Sequence, residues 1–400
     1  LNVFLPLHTS MASTRLSNLY RQIEGEPDPK TAADFFRESP WEREDVGLGR
    51  KQAMLLQFLA FAKKLGLAKI LVSLDDSTGK KDKATRRLEA VCYQHDHNDG
   101  SKTKPKFVNG FVYVEIHIQI GPIGFTWDTR LYLRECVIRK LNRQRTSDKR
   151  VHYRSKYALA HAMLTELAAL LPKGYQVYVL FDSWYSSAKL IKFCRRQGWQ
   201  VVCAVKSNRR IDKKRVDHHD QALRHKPYQK VVLQALDPLR PAPVYYVRTV
   251  TGHLENISDQ VCAIISRRHK GDHHPKFFVY TDLSLSAQEA LRLYQRRWPV
   301  EVDNFYLKEG LGIADFRLQS FEATDKWFAV TLVSLNYLQF QQAQSYIETG
   351  KLPRLADLIR QHRWTHLENV IRRIAQEALQ TGNVEEVLQR HLPTAAWAVV

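Results

Sequence analysis

The chain has 400 residues, 44% of them hydrophobic and 26% charged, a balance that fits a globular protein and excludes disordered or fibrous classes. Lysine and arginine number 61 against 41 aspartates and glutamates, a formal net charge of +20, and a surplus of that size points to a polyanionic partner, because each neutralised phosphate releases counterions. No apolar run reaches the roughly eighteen residues of a membrane span, and the opening stretch 1–7 reads as too short and too poor in basic residues for a secretory leader.

The N-terminal part reads as helical, over 31–39 and again over 48–65, with a stop at Ser39-Pro40-Trp41 between them. Residues 70–74 form a short apolar strand that runs into Asp75-Asp76-Ser77-Thr78-Gly79. A basic loop follows, then a strand over 111–120, where Val112, Val114, Ile116, Ile118 and Ile120 alternate with more polar partners. A turn at Gly121-Pro122-Ile123-Gly124 leads to a third strand over 125–133, which makes an antiparallel meander.

Next comes a helix over 156–171, closed by Pro172-Lys173-Gly174. A fourth strand, 176–181, ends on Asp182; a helix over 186–196 stops at Gly198; a fifth strand covers 200–205. Three antiparallel strands followed by helix-linked ones predict an α/β fold with a mixed, helix-covered sheet. That element order is the one found in the ribonuclease-H-like fold. Residues 206–282 then carry β-rich runs at 228–234, 244–251, 260–267 and 276–281, and read as an all-β insertion.

A helix opens at Ser286, where Ser286-Ala-Gln-Glu289 has the form of a capping box. Beyond Leu311 the chain is mainly helical, notably at 327–347 and 365–379. The expected division is a helical N-terminal region (1–65), a first part of the core (66–205), the β-rich insertion (206–282), the final core helices (283–345) and a helical C-terminal region (346–400).

Asp76 and Asp182 stand at strand ends, where sites of α/β sheets gather, although aspartate also favours turns for structural reasons. The strongest local pattern is Tyr294, Arg297, Glu301 and Lys308, at offsets 0, 3, 7 and 14. At about 100° per residue these fall within a fan of about 60° on one helix face. A plain alternative is an exposed face on which Arg297 and Glu301 pair at i, i+4. Pro299 would break a continuous helix, so a new helix is expected to start there and the fan to hold only approximately.

Tyr-x-x-Arg-x-x-x-Glu-x-x-x-x-x-x-Lys resembles the signature of a large group of bacterial insertion-sequence DDE transposases, and Tyr294, Arg297, Glu301 and Lys308 match it without a gap. Asp76, in Leu74-Asp75-Asp76-Ser77-Thr78, resembles that family's first catalytic aspartate, and Asp182, in Leu180-Phe181-Asp182-Ser183-Trp184-Tyr185, its second. The resemblance covers about 66–345 and includes the β-rich insertion. It implies a transposase that cuts transposon ends and joins them to target DNA, with Asp76, Asp182 and Glu301 holding two Mg2+ ions (Mn2+ substituting) and Tyr294, Arg297 and Lys308 gripping phosphates. Double-stranded DNA of terminal inverted repeats and target, a homodimer on that DNA and a cytoplasmic location follow from the same resemblance. Asp75 adjoins Asp76, and alternation alone does not say which faces the metal; the resemblance favours Asp76. Two rival readings are a transposase-derived DNA-binding protein without cleavage and a ribonuclease-H-like nuclease that cuts without joining.

Other signals carry less. Cys92, Cys136, Cys194, Cys203 and Cys262 are scattered and never spaced as C-x-x-C, which argues for a reducing compartment and against a zinc site. His95-Asp96-His97, His218-His219 and His273-His274 read as solvated loop histidines. Ser186-Ser187-Ala188-Lys189 matches a nucleophile pattern too short to be specific. No phosphate-binding G-x-x-x-x-G-K-[ST] loop occurs, so a nucleotide cofactor is not expected. The basic run 206–215 reads as a DNA-facing loop or, equally well, as a solvated charge run.

Overall fold

The computed structural model describes residues 29–96, 104–235 and 240–391. The stretch 1–7 and His97 lie outside the described residues. Two helices come first, α1 (Pro29–Arg37) and α2 (Arg43–Lys64). Helix α2 begins earlier than expected because Asp45 accepts the Glu42 N–H at 2.7 Å, half of a capping box that starts the helix there.

The centre is a mixed sheet that counts ten strands among the described residues. Its first strands are β1 (Lys69–Lys80), β2 (Cys92–Asp96), β3 (Lys106–Ile120) and β4 (Ile123–Tyr132). The turn between β3 and β4 passes through Gly121 at φ +60°, a conformation that favours glycine. Strand β3 is long enough to pair antiparallel with β1 along one edge and with both β2 and β4 along the other. This corrects the sequence reading in two places. Part of the expected basic loop is β2, and β1 continues to Lys80, so Asp75 and Asp76 lie within the strand rather than beyond its end.

Helix α3 (Glu135–Asn142), which was not expected, leads to α4 (Lys156–Leu170). Strand β5 (Gln176–Phe181), helix α5 (Ala188–Arg196) and strand β6 (Gln200–Val205) follow close to the expected bounds. Strands β1, β5 and β6 are mutually parallel. The mixed sheet and its covering helices are consistent with a ribonuclease-H-like architecture.

The basic run 206–215 contains a small hairpin, β7 (Arg210–Ile211) and β8 (Lys214–Arg215), with Asp212 and Lys213 at positive φ in its turn. After α6 (Val216–Ala222) come β9 (Gln229–Val232), β10 (Val244–His253), β11 (Gln260–Arg267) and β12 (Lys276–Tyr280). These four strands are added to the same sheet, because β12 pairs antiparallel with β6. The order is β2-β3-β1-β5-β6-β12-β11-β10-β9, with β4 beside β3.

Alternation along the strands builds two apolar layers. Ile70, Val72 and Leu74 of β1 pack with Met54, Phe58, Leu159 and Met163 of α2 and α4. Leu71, Tyr178 and Leu180, on the opposite face, pack with Ala287, Ala290 and Leu291 of α7 (Ala287–Gln295). Helix α7 starts at the expected capping box, with Ser286 Oγ accepting the Glu289 N–H at 3.2 Å. Then come α8 (Pro299–Phe305), a π-helical turn over Tyr306–Gly310, and the helices α9 (Phe321–Thr349), α10 (Leu355–Thr381) and α11 (Val384–His391). Trp327, Phe328, Leu332 and Leu335 of α9 form a further core with Phe111 and Tyr113 of β3.

Candidate active site

The register between β1 and β5 places the first two acids. Leu71 stands beside Tyr178, Ser73 beside Leu180 and Leu74 beside Phe181. The next positions are Asp75 and Asp182. Since successive side chains point to opposite faces, Asp75 continues the Leu71 and Ser73 face, the one that α7 covers. On its other side Asp75 is paired with Glu115 of β3. The parallel pairing ends at this level while β1 continues, which leaves the two carboxyl groups at a step in the sheet.

Asp76, the residue the sequence reading preferred, points to the opposite face. Its Oδ2 accepts from Lys156 Nζ at 2.6 Å and its Oδ1 from the Tyr185 hydroxyl at 3.0 Å, both on the α4 side of the sheet. Asp75 thus shares a face with Arg297 and Glu301 while Asp76 lies on the α4 face, and Asp182, at the level of both, feels the Asp76 charge as well. The physical reason is parity: strands pleat with a period of two, and the register with β5 assigns the odd positions to the site face.

The third acid, Glu301, stands in the first turn of α8, just past the break from α7. Pro299 occupies the first turn of α8, as expected, and no continuous helix runs from Tyr294 to Lys308. Arg297, in the break, donates from Nη1 to Asp75 Oδ2 at 2.6 Å and from Nη2 to Glu301 Oε1. The i, i+4 pairing of Arg297 and Glu301 is thus present, but the same guanidinium also crosses to β1. Tyr294 packs edge-on against Phe278, with ring centroids 4.8 Å apart, and lies under Arg297 at 5.9 Å. Lys308 is set apart: it sits half-buried in the π-helical turn, and Glu115 contributes the largest opposing charge it feels.

The electrostatics follow first from burial at this step and then from the neighbouring charges. Burial pushes the Asp75 carboxyl up to about 6, against the pull of Arg297. Burial also raises Asp182, whose Oδ1 is steadied by the N–H groups of Trp184 at 2.9 Å and Tyr185 at 3.3 Å. Tyr294 is pushed up to about 12 by burial, and the Lys308 ammonium is lowered by burial although Glu115 opposes this.

Behind the acids lies a polar network that the sequence reading missed. Glu115 is fully buried, and burial together with Asp303 holds its carboxyl well above the usual range. Asp303 Oδ2, on α8, meets His117 Nδ1 at 2.5 Å, Thr126 Oγ1 at 2.6 Å and Gln339 Nε2 at 3.0 Å. The residues of β3 that alternate with Val112, Val114, Ile116, Ile118 and Ile120 form its other face. A second helical layer covers that side, so Tyr113, Glu115 and His117 are buried too.

Three carboxylates offer hard oxygen ligands of the kind magnesium takes, with neither imidazole nor thiolate in the set. Burial raises the Asp75 and Asp182 carboxyls, and a neighbouring carboxylate adds to each shift, so a bound cation would favour their charged forms. Among the described residues, however, no three His, Cys, Asp or Glu side chains stand close enough to share one ion as they are. Arg297 spans Asp75 and Glu301 in that place.

In comparison with known families, the family model described as DDE superfamily endonuclease matches residues 16–235, a span that holds Asp75, Asp76 and Asp182. The model described as Transposase DDE domain matches residues 144–337, which include Asp182 and every position from Tyr294 to Lys308. No curated protein matches the chain. Among the described residues, no helix is long and apolar enough to cross a membrane.

Proposed function

The chain belongs to the DDE superfamily endonucleases, and from that premise we propose that it is a DNA transposase of the group marked by Tyr294, Arg297, Glu301 and Lys308, which cuts transposon ends and joins them to target DNA. The observation that carries this reading is the placement of Asp75 beside Asp182 with Arg297 linking Asp75 to Glu301. Asp75, Asp182 and Glu301 would hold divalent cations, magnesium or manganese. When bound, such a pair of ions activates the attacking oxygen and steadies the leaving oxygen of an in-line displacement at phosphorus.

The chain's own groups have distinct tasks in this reading. Arg297 offsets the repulsion between Asp75 and Glu301 until a cation takes that role. Its guanidinium then has two parallel donors available for a phosphate. Tyr294 supplies a hydroxyl beside Arg297, and burial pushes it up to about 12. Lys308 adds positive charge near Glu115 and, by its place in the signature, toward the adjacent phosphate. Asp76 holds Lys156 and Tyr185, which ties β1 to α4 and to the turn after Asp182. Positive charge across the chain supplies most of the affinity for DNA, acting as a homodimer on two transposon ends.

The test is incubation with the flanking terminal inverted repeats and Mg2+, followed by mapping of the DNA products. Joined products together with cut ends are expected. Cutting without joining would reduce the reading to a nuclease, and no cutting at any end would remove it.

A further inference from the structure

Beside the acids an aromatic surface faces outward. Trp184 lies two residues past Asp182, and its N–H is the donor that fixes Asp182 Oδ1 at 2.9 Å. The indole is 43% exposed and lies nearly parallel to the 38% exposed ring of Tyr157, at 12° with centroids 6.5 Å apart. The Tyr157 hydroxyl donates to the Trp184 carbonyl, which joins α4 to the turn after β5. Two ammonium groups flank the indole, Lys156 at 5.7 Å and Lys206 at 5.5 Å from its centroid. Both sit on elements that border the acids, Lys156 at the start of α4 and Lys206 just past β6.

Two partly exposed aromatic rings side by side next to an active site offer a surface on which a flat partner can lie. Their chemistry narrows the partner. Flat aromatic rings with ammonium groups about 5.5 Å from the indole centroid suit a flat, electron-rich ring joined to phosphates, and stacking of this kind tolerates any sequence. Bases inside a duplex have both faces covered by their neighbours, so only an unpaired or terminal base can lie on such a surface. We propose that Trp184 and Tyr157 form a stacking platform for an unpaired nucleobase at a DNA end, with Lys206 on the flanking phosphate. Because the Trp184 backbone is bonded to Asp182, the stacked base is anchored next to the acids. This proposal rests on the transposase reading for its DNA, and it adds a subsite that the acids and the signature do not contain.

The experiment compares full-length protein with Trp184→Ala, Trp184→Phe and Lys206→Ala on otherwise identical DNA. The probes are a blunt duplex and duplexes with a short unpaired 3′ or 5′ end, each carrying 2-aminopurine in the terminal segment. Trp184→Ala should bind one of the unpaired-end probes about tenfold or more weakly, with blunt-duplex binding little changed. The protein should quench 2-aminopurine, Trp184→Ala should not, and Trp184→Phe should restore most of both effects. Lys206→Ala should lower the salt slope by about one unit, which Trp184→Ala should leave alone. Equal binding of unpaired ends by Trp184→Ala and the parent, or equal losses on blunt and unpaired ends, would overturn the platform. Failure of the parent protein to cut any DNA with Mg2+ would instead sink the transposase reading and leave the stacking measurements to stand by themselves.

Discussion

At the scale of single residues, the choice between Asp75 and Asp76 has opposite consequences for mutation. Loss of a carboxylate that holds a catalytic cation removes several kcal/mol of transition-state stabilisation, roughly a thousandfold or more in rate. Asp75→Asn is therefore expected to abolish Mg2+-dependent cleavage while most DNA affinity remains, since binding comes chiefly from basic groups. Asp76→Asn loses a partner of Lys156 and Tyr185, a supporting role for which a loss of about 10–100-fold is expected. Cleavage rates and DNA affinities of the two variants decide the matter; a dead Asp76→Asn with an active Asp75→Asn would restore the original choice. A pH dependence goes with it. The Asp75 carboxyl sits at about 6, so below that pH the protonated form dominates and a cation must displace a proton to bind. The Mg2+ concentration for half-maximal cleavage should rise about tenfold per pH unit below about 6 and level off above it. A flat Mg2+ requirement between about pH 5 and pH 7 would separate Asp75 from the metal. Sequence alone could find the pair of acids but not choose between them, because the choice depends on the register of β1 against β5, more than 100 residues away in the chain.

At the scale of elements, the short helix α8 has to be held by its surroundings. Seven residues are far too few for a helix that stands by its own hydrogen bonds. Its anchor is Asp303, which gathers His117 of β3, Thr126 of β4 and Gln339 of α9 on one buried oxygen. Glu301 lies two residues earlier on the same helix, so the hub sets where that acid stands. Asp303→Ala would leave three buried polar groups short of a partner, each orphan costing about 1–3 kcal/mol. A stability loss of about 2–4 kcal/mol is expected from the denaturant midpoint, with partial relief from relaxation. Asp303→Asn keeps the shape and some hydrogen bonds; its stability loss should be smaller, yet cleavage should still fall about 10–100-fold, with a raised Mg2+ requirement and unchanged DNA affinity. Wild-type cleavage by a folded Asp303→Asn protein would show that the hub does not position Glu301. Much at this scale was legible in advance. The Ser286 capping box and the restart at Pro299 are local signals, and both elements begin where those residues stand. The burial of Glu115 and His117 was not legible, because an alternating strand looks the same whether its polar face meets water or a second layer of helices.

At the scale of the whole molecule, the helices near both ends of the chain are joined to the sheet through one buried charge. Asp128 of β4 is 1% exposed. Arg43 reaches its Oδ1 at 2.6 Å, while Lys51 reaches Oδ2 at 2.7 Å and Arg130 the same oxygen at 3.1 Å. Arg43 also bonds Asp325 of α9 at 2.8 Å, and Lys51 bonds Glu166 of α4 at 2.7 Å. Read in sequence, Arg43 and Lys51 belong to the basic surplus that marks a DNA-binding surface, yet both are buried and matched by acids. Only the packing of α2 against β4 reveals this. Burial alone would raise the Asp128 carboxyl, but Arg43, Lys51, Arg130 and Arg50 together hold it well below the usual carboxylate range. For a carboxyl depressed in the folded state, the stabilisation is fully present above its unfolded value of about 3.9 and is lost as the pH falls toward the lower folded value. Acid unfolding of the parent protein should therefore include a component from this residue that sets in below about pH 4. Asp128→Asn leaves the surrounding cations without their central counter-charge, and breaking a buried pair in this way costs about 3–5 kcal/mol at neutral pH. The same variant has no proton to take up at position 128, so its stability should fall less steeply than the parent's between about pH 4 and pH 2, and the two curves should converge. Urea unfolding across that range measures both effects. Parallel curves separated by a constant amount would mean that Asp128 gains a proton equally in the folded and unfolded chain, and the buried network would then have to be credited to packing rather than to charge.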